Sequence, residues 1–121
     1  MQERRNSQRY PVSFPIRVRW KDDVGVTVVE EGLTENVAES GALVYLPRKL
    51  PTVGSKVELT ITEKSDDEVV VNAQVIRLER NAAHPQVALA LVDGMRAWKK
   101  KVWQYAAETI AAQQPEDGDD W

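Results

Sequence analysis

Residues 12–20 read VSFPIRVRW, and this stretch decides the fold class. Apolar side chains alternate here with serine, proline and arginine, at Val12, Phe14, Ile16, Val18 and Trp20. A period of two over the whole stretch is typical of a β-strand with one buried face. Pro15 has no backbone N–H to donate, so the first half of this strand is expected at an edge.

The same alternation recurs after each turn sequence along the chain. Further strands are predicted at residues 24–28, as a hairpin partner of the first, and at 41–46, 56–62, 69–80 and 86–92. The alternation changes phase between Val75 and Ile76, which predicts a β-bulge. Six short strands without an intervening helix favour an antiparallel barrel or sandwich over a parallel sheet.

After Gly94 the apolar period lengthens to that of a helix. It predicts one amphipathic helix over about residues 96–113, with Asp93 as its N-cap and Pro115 ending it. The aromatic side chains of this helix are expected to pack on the barrel. Trp103 is the expected exception, because it lies off the centre of the apolar stripe.

Length and composition indicate one ordinary globular domain. The chain has 121 residues, 42% hydrophobic and 29% charged, which is enough for one hydrophobic core. It has no cysteine, so disulfides, thiolate metal sites and cysteine nucleophiles are excluded. No apolar run approaches the roughly 20 residues of a membrane helix, and no signal peptide is recognisable. A cytoplasmic protein without membrane insertion is therefore expected.

The net charge of −3 conceals an uneven distribution. Residues 1–21 contain six basic residues and one acidic residue, a local charge of +5, whereas residues 115–121, PEDGDDW, are acidic throughout. We therefore predict a flexible Arg-rich arm at 1–11, a barrel with its helix at 12–113, and a disordered acidic tail at 114–121.

The residues needed for catalysis are missing. His84 is the only histidine, and no serine or aspartate near it in the sequence completes a catalytic motif. The sequence has no nucleophile elbow, Walker loop or glycine-rich dinucleotide motif, and the acidic tail lacks the ligand spacing of a calcium loop. A non-enzymatic protein with no catalytic residues, no metal site and no cofactor is expected.

Two segments are better suited to binding. The arm carries Arg4, Arg5 and Arg9, and the planar fork of arginine suits phosphate oxygens and the O6 and N7 edge of guanine. Residues 35–42, ENVAESGA, form a predicted turn between two strands, in which Gly41 is expected to adopt a backbone conformation that other residues avoid.

Taken together, the Arg-x-x-x-Arg of Arg5 and Arg9 and the Asn-x-x-x-x-Gly of Asn36 and Gly41 resemble the motifs of the PilZ domain family. The resemblance covers about residues 3–94. It implies an all-β fold with a terminal helix, namely a six-stranded antiparallel β-barrel plus one C-terminal α-helix. It also implies that the ligand is cyclic di-GMP, a bacterial second messenger.

The resemblance also assigns roles. Arg5 and Arg9 would grip guanine and phosphate, Asn36 would hydrogen-bond a guanine edge, and Gly41 would let the turn pass close to the ligand. Arg4, immediately before the motif, is a position that favours a stacked pair of ligand molecules.

One departure from the family pattern bears on affinity. Where the family motif [D/N]-x-S-x-x-G has serine, this chain has Ala38, which removes one hydroxyl and about 1 kcal/mol of hydrogen bonding if that group contacts the ligand. A several-fold loss of affinity is expected. Ser40, two residues further on, is the candidate to replace the hydroxyl.

The predicted function is that of a stand-alone cyclic di-GMP receptor. Its arm becomes ordered on binding, and it signals to an unidentified downstream protein. The alternative is a degenerate PilZ-like adaptor that acts only through protein partners in pilus or motility machinery. A small barrel that binds single-stranded nucleic acid is a more distant alternative, disfavoured by the acidic net charge and the few aromatic residues.

Overall fold

The computed structural model describes residues 8–113, and in this part of the chain six strands form a closed antiparallel barrel. The strands are β1 (Pro15–Lys21), β2 (Thr27–Ala38), β3 (Gly41–Tyr45), β4 (Lys56–Ile61), β5 (Val69–Glu79) and β6 (Gln86–Leu91). Their order around the barrel is β1-β2-β3-β6-β5-β4, and β4 pairs with β1 to close it. The predicted six-stranded barrel is confirmed.

One C-terminal helix follows the barrel, in three continuous segments: α1 (Met95–Trp98), a π-helical turn (Lys99–Trp103) and α2 (Gln104–Gln113). Trp98, Val102 and Ala106 are its buried side chains. They recur every four residues, a spacing that suits the wide turn of a π-helical segment. None of these helical segments has the length and apolar composition required to cross a bilayer.

The barrel core is filled by the inward-facing side chains of the strands. Its fully buried members include Ile16, Val18, Val37, Val44, Leu59, Val71, Val75 and Val87. The predicted alternation in the first strand is confirmed, because its apolar residues are buried while most of the intervening residues are exposed. The core therefore follows from the period-two pattern.

The first strand begins later than predicted, at Pro15 instead of Val12. Before Pro15, the chain is held by a threonine side chain rather than by a β ladder. The Thr34 hydroxyl accepts a hydrogen bond from the Phe14 N–H at 2.8 Å and donates to the Val12 carbonyl at 2.5 Å. The Thr34 N–H donates to the Phe14 carbonyl at 2.9 Å. Val12 and Phe14 are consequently buried without belonging to a strand.

The predicted hairpin is present, with Trp20 opposite Val28, but its second strand was placed too early, because residues 24–26 belong to the turn. Val24 and Val26 are exposed, and the Asp22 carboxylate accepts hydrogen bonds from both of their N–H groups, at 3.0 and 2.9 Å. Gly25 has a φ of 85°, a conformation that favours glycine. The actual partner, β2, is a longer strand that begins at Thr27.

Two bulges interrupt the ladders. The predicted bulge is confirmed, since the β5–β6 register shifts between Val75 and Arg77. A second shift, between Thr34 and Asn36 in the β2–β3 ladder, was not predicted. Each bulge changes the face of the sheet toward which the following side chains point.

The predicted N-cap, Asp93, does not cap the helix. Gly94 occupies that position with a φ of 72° and makes no side-chain cap. The Asp93 carboxylate instead accepts hydrogen bonds from the Asn72 side-chain amide at 2.9 Å and from the Asn72 N–H at 3.0 Å. These two bonds lower the pKa of Asp93.

Replacing Thr34 with valine, which has nearly the same shape, is expected to lower the free energy of unfolding by about 1–3 kcal/mol, because the Phe14 N–H and Val12 carbonyl would lose a buried partner. Urea denaturation measures the change. The matched control is Thr27→Val at an exposed position of the same strand, for which a change within about 0.5 kcal/mol is expected. Equal effects of the two substitutions would contradict the role of the hydroxyl.

Candidate ligand-binding cleft

An open cleft of about 170 Å³ lies beside the connection between β2 and β3. It is lined by the predicted site residues Arg9, Ala38, Ser40 and Gly41, together with residues of β3, β5 and β6. Arg9 and the β2–β3 connection are thus brought together although they are far apart in sequence. Arg4 and Arg5 lie outside the described residues.

The base of the arm is held against the barrel. The Tyr10 N–H donates to the Val37 carbonyl at 2.8 Å, and the Val37 N–H donates to the Tyr10 carbonyl at 2.9 Å. On the other side of Arg9, the Trp103 indole N–H donates to the Gln8 carbonyl at 3.0 Å. Arg9 itself is exposed, while its backbone neighbours are anchored.

The connection between β2 and β3 is shorter than predicted. Asn36 and Ala38 belong to β2, and only Glu39 and Ser40 form the turn. The turn is fixed on both sides. The buried Trp98 indole donates to the Ala38 carbonyl at 2.8 Å, and the Leu91 N–H donates to the Ser40 carbonyl at 2.9 Å. The cleft therefore has a rigid wall on this side.

Gly41 is needed for space and not for an unusual backbone conformation, so the predicted reason was wrong. The described glycines with positive φ are Gly25, Gly54 and Gly94. A Cβ atom on Gly41 would lie 2.3 Å from the Leu89 carbonyl oxygen of β6. Any side chain at this position would therefore push β3 away from β6.

Asn36 carries an unsatisfied acceptor. Among the described residues, its Oδ1 is buried and has no hydrogen-bond partner. Buried polar atoms are nearly always paired, so an unpaired one requires an explanation. Asn36 itself is not among the residues that line the cleft. Asn36 directly follows the bulge in β2, which sets the direction of its side chain.

The cleft is also positively charged, in part through a residue that the sequence interpretation missed. Arg77 lines it together with Arg9, and none of the described lining residues is acidic. The Arg77 Nε lies 2.7 Å from an oxygen of Glu79, which holds the guanidinium on the strand surface. The change of phase at Ile76 was the sequence feature that could have identified Arg77, because the bulge turns the Arg77 side chain toward the cleft.

The single histidine lies in a separate cluster. The His84 ring stacks on Tyr45, with centroids 4.2 Å apart, and its Nε2 is hydrogen-bonded to the Glu35 carboxylate. Glu35 is the residue in the β2 bulge, between Thr34 and Asn36. His84 therefore braces the bulge that orients Asn36 and does not line the cleft.

Solved structures with the same fold are numerous. The Bacillus subtilis inhibitor of motility, MotI/DgrA, is 16% identical with a TM-score of 0.71, over 94% of this chain and 55% of that one. The PilZ domain of YcgR from Escherichia coli, solved with c-di-GMP, is 13% identical with a TM-score of 0.68, over 93% of this chain and 100% of that one. MrkH from K. pneumonia, solved as a c-di-GMP complex, is 10% identical with a TM-score of 0.64, over 96% of this chain and 56% of that one.

The chain thus spans about half the length of MotI/DgrA and of MrkH, and the whole of the YcgR domain. No curated protein matches it significantly in sequence. The sequence model of the PilZ domain, in contrast, matches residues 3–107, which include the barrel, the arm motif and most of the helix. The chain belongs to the PilZ domain family.

Proposed function

We propose that this PilZ domain is a receptor for cyclic di-GMP, which binds between the arginine arm and the β2–β3 connection. The observation that carries the proposal is the convergence of Arg9 with Ala38, Ser40 and Gly41 on one cleft whose described lining has no carboxylate. The ligand is a dianion with two guanine bases, so a cleft lined by exposed arginines matches its chemistry. The YcgR and MrkH structures of the same fold contain this dinucleotide.

In this proposal each residue has a distinct task. Arg5 and Arg9 donate to phosphate oxygens and to the O6 and N7 atoms of guanine. The family motif assigns Asn36 to the N–H edge of guanine. Its Oδ1 is buried, has no partner among residues 8–113 and does not line the cleft, so the side chain must turn outward to accept this bond. Gly41 lets the backbone approach the ligand, and Arg4 favours a second, stacked ligand molecule.

The signal passes through the arm. Gln8 and Tyr10 flank Arg9 and contact the helix through Trp103, by a hydrogen bond to the indole and by a ring contact with centroids 5.8 Å apart. Ligand bound to Arg9 therefore stabilises one arrangement of arm and helix. An unidentified downstream protein recognises this surface.

The second candidate function is an adaptor that binds only proteins. Ala38 favours it, because its methyl group contributes no hydrogen bond where the family motif supplies a hydroxyl. The two functions are separated by titration calorimetry with cyclic di-GMP. Absence of heat at tens of micromolar folded protein would support the adaptor and refute the receptor.

Arg5→Ala and Arg9→Ala are each expected to abolish binding of cyclic di-GMP in calorimetry, because each removes a charged fork from the phosphates and guanine. Arg48→Ala is the matched control, since Arg48 is exposed in the loop after β3 and does not line the cleft. Its affinity should equal that of the unmodified protein. Equal losses for Arg9 and Arg48 would indicate nonspecific charge attraction.

Asn36→Ala is expected to separate affinity from stability. Binding should weaken at least about tenfold, because a hydrogen bond to guanine is lost. The free energy of unfolding without ligand should stay the same or rise slightly, because the substitution removes an unsatisfied buried acceptor. A marked loss of stability in urea denaturation would show instead that Asn36 has a structural role.

Ala38→Ser restores the hydroxyl of the family motif and is expected to raise affinity for cyclic di-GMP about fivefold, the equivalent of one hydrogen bond of about 1 kcal/mol. Calorimetry measures the change. Ala82→Ser, at an exposed position between β5 and β6 that does not line the cleft, is the control and should leave affinity unchanged. Unchanged affinity in Ala38→Ser would mean that the hydroxyl does not contact the ligand in this chain.

A further inference from the structure

The seam between β1 and β4 opens at one end. The two strands pair over Ile16–Arg19 and Glu58–Ile61, and the last pair is Arg19 with Glu58. Continuing the same register would place Lys21 directly opposite Lys56. Both lysines belong to their strands, as the last residue of β1 and the first of β4, yet they do not pair with each other.

Two like charges flank the opening. Like charges at directly opposed positions of an antiparallel pair are destabilising, and here the next hydrogen-bonded pair would consist of two lysines. The Thr62 N–H donates to the Pro15 carbonyl, so Pro15 directs its backbone toward the β4 side. Every second residue of a strand faces the same neighbour, and Lys21 therefore also directs its backbone groups toward β4. By the same alternation Lys56 directs its groups toward β1. The unpaired backbone of both lysines therefore faces the opening.

A cleft of about 370 Å³ fills this opening, within the range of ligand-sized pockets. Its basic lining residues are Arg19, Lys21 and Lys56, and its apolar ones are Trp20 and Val57. Glu58 is the one acidic residue among the described lining residues, and it is paired with Arg19 at 3.6 Å. The nearby Asp22 carboxylate accepts hydrogen bonds within its own turn. The opening is thus a cationic site with an apolar floor.

This site shares no lining residue with the cleft at Arg9. On β2, Thr27 lines the seam and Ala38 lines the other cleft. On β5, the lining residues Asn72 and Ile76 are closer together in the strand. The seam and the Arg9 cleft are therefore distinct clefts on one barrel.

We propose that the open seam binds a short acidic segment of a partner protein in an extended conformation. The backbone of the segment would pair with the free edge at Lys21 or Lys56, in the manner of an added strand. Its carboxylates would lie between the two lysines and relieve the repulsion that keeps the strands apart. An extended peptide is the occupant that uses both the unpaired backbone and the positive charge, and the proposal does not depend on cyclic di-GMP binding.

The binding test uses the ¹⁵N-labelled chain and two synthetic peptides, acetyl-Val-Glu-Val-Asp-Val-amide and its neutral counterpart with Gln and Asn. The acidic peptide is expected to shift the amide signals of Lys21, Lys56 and Val57, and the neutral peptide is not. The double variant Lys21→Gln/Lys56→Gln should weaken binding about fivefold or more, whereas Lys100→Gln, at an exposed helix position, should not.

Three outcomes would overturn the proposal. Equal shifts with the neutral peptide would show that charge is not recognised. Equal shifts with inorganic phosphate alone would reduce the seam to a site for small anions. Shifts with a single-stranded oligonucleotide but not with the acidic peptide would assign it to nucleic acid.

A second test examines the opening itself, without any ligand. Lys21→Glu places opposite charges at the two facing positions, so the ladder should extend and the amide at position 56 should exchange with deuterium at least about fivefold more slowly. Lys100→Glu is the control with the same charge change and should leave that amide unaffected. Unchanged exchange in Lys21→Glu would show that repulsion between the lysines does not open the seam.

Discussion

The hydrogen bond from the Trp98 indole to the Ala38 carbonyl is the constraint on which the rest of this molecule depends. Trp98 is fully buried, so its N–H must find a partner inside the protein, and the carbonyl at the end of β2 supplies one at 2.8 Å. This bond sets the position of the helix against the β2–β3 turn. One turn further along the helix, Trp103 reaches the Gln8 carbonyl at the base of the arm. Both walls of the Arg9 cleft are therefore positioned by the same short piece of helix.

The sequence predicted the parts of the fold that depend on local pattern. Alternation identified the buried face of the first strand, the change of phase at Ile76 identified a bulge, and the longer period identified the helix. It failed on β2, whose residues between Glu30 and Asn36 are mostly polar. They form a strand because β1 and β3 pair with them on both sides, and such pairing partners cannot be recognised from the segment itself.

The site shows the same division between local and distant causes. The spacing of Arg9, Asn36 and Gly41 was sufficient to identify the family, and the structure brings Arg9 and Gly41 to one cleft. The reason for Gly41 lies in the Leu89 carbonyl, 48 positions later, and the partner of Asp93 is Asn72, 21 positions earlier. Glycine and aspartate have ordinary roles in turns and caps, which is what the sequence alone suggests. In the structure, Gly41 provides space for the Leu89 carbonyl and Asp93 binds Asn72, so both residues act through contacts that are distant in sequence.

Closure of the barrel explains where its binding sites can be. A closed sheet has no free edge, so its backbone groups are occupied by neighbouring strands and are withdrawn from ligands. Backbone becomes available where the ladder is irregular. Within the described part of the chain these places are the bulges at Glu35 and Ile76, which flank the Arg9 cleft, and the open seam at Lys21 and Lys56. Arginine or lysine side chains line both the Arg9 cleft and the seam, so a chain with a net charge of −3 carries two positively charged clefts.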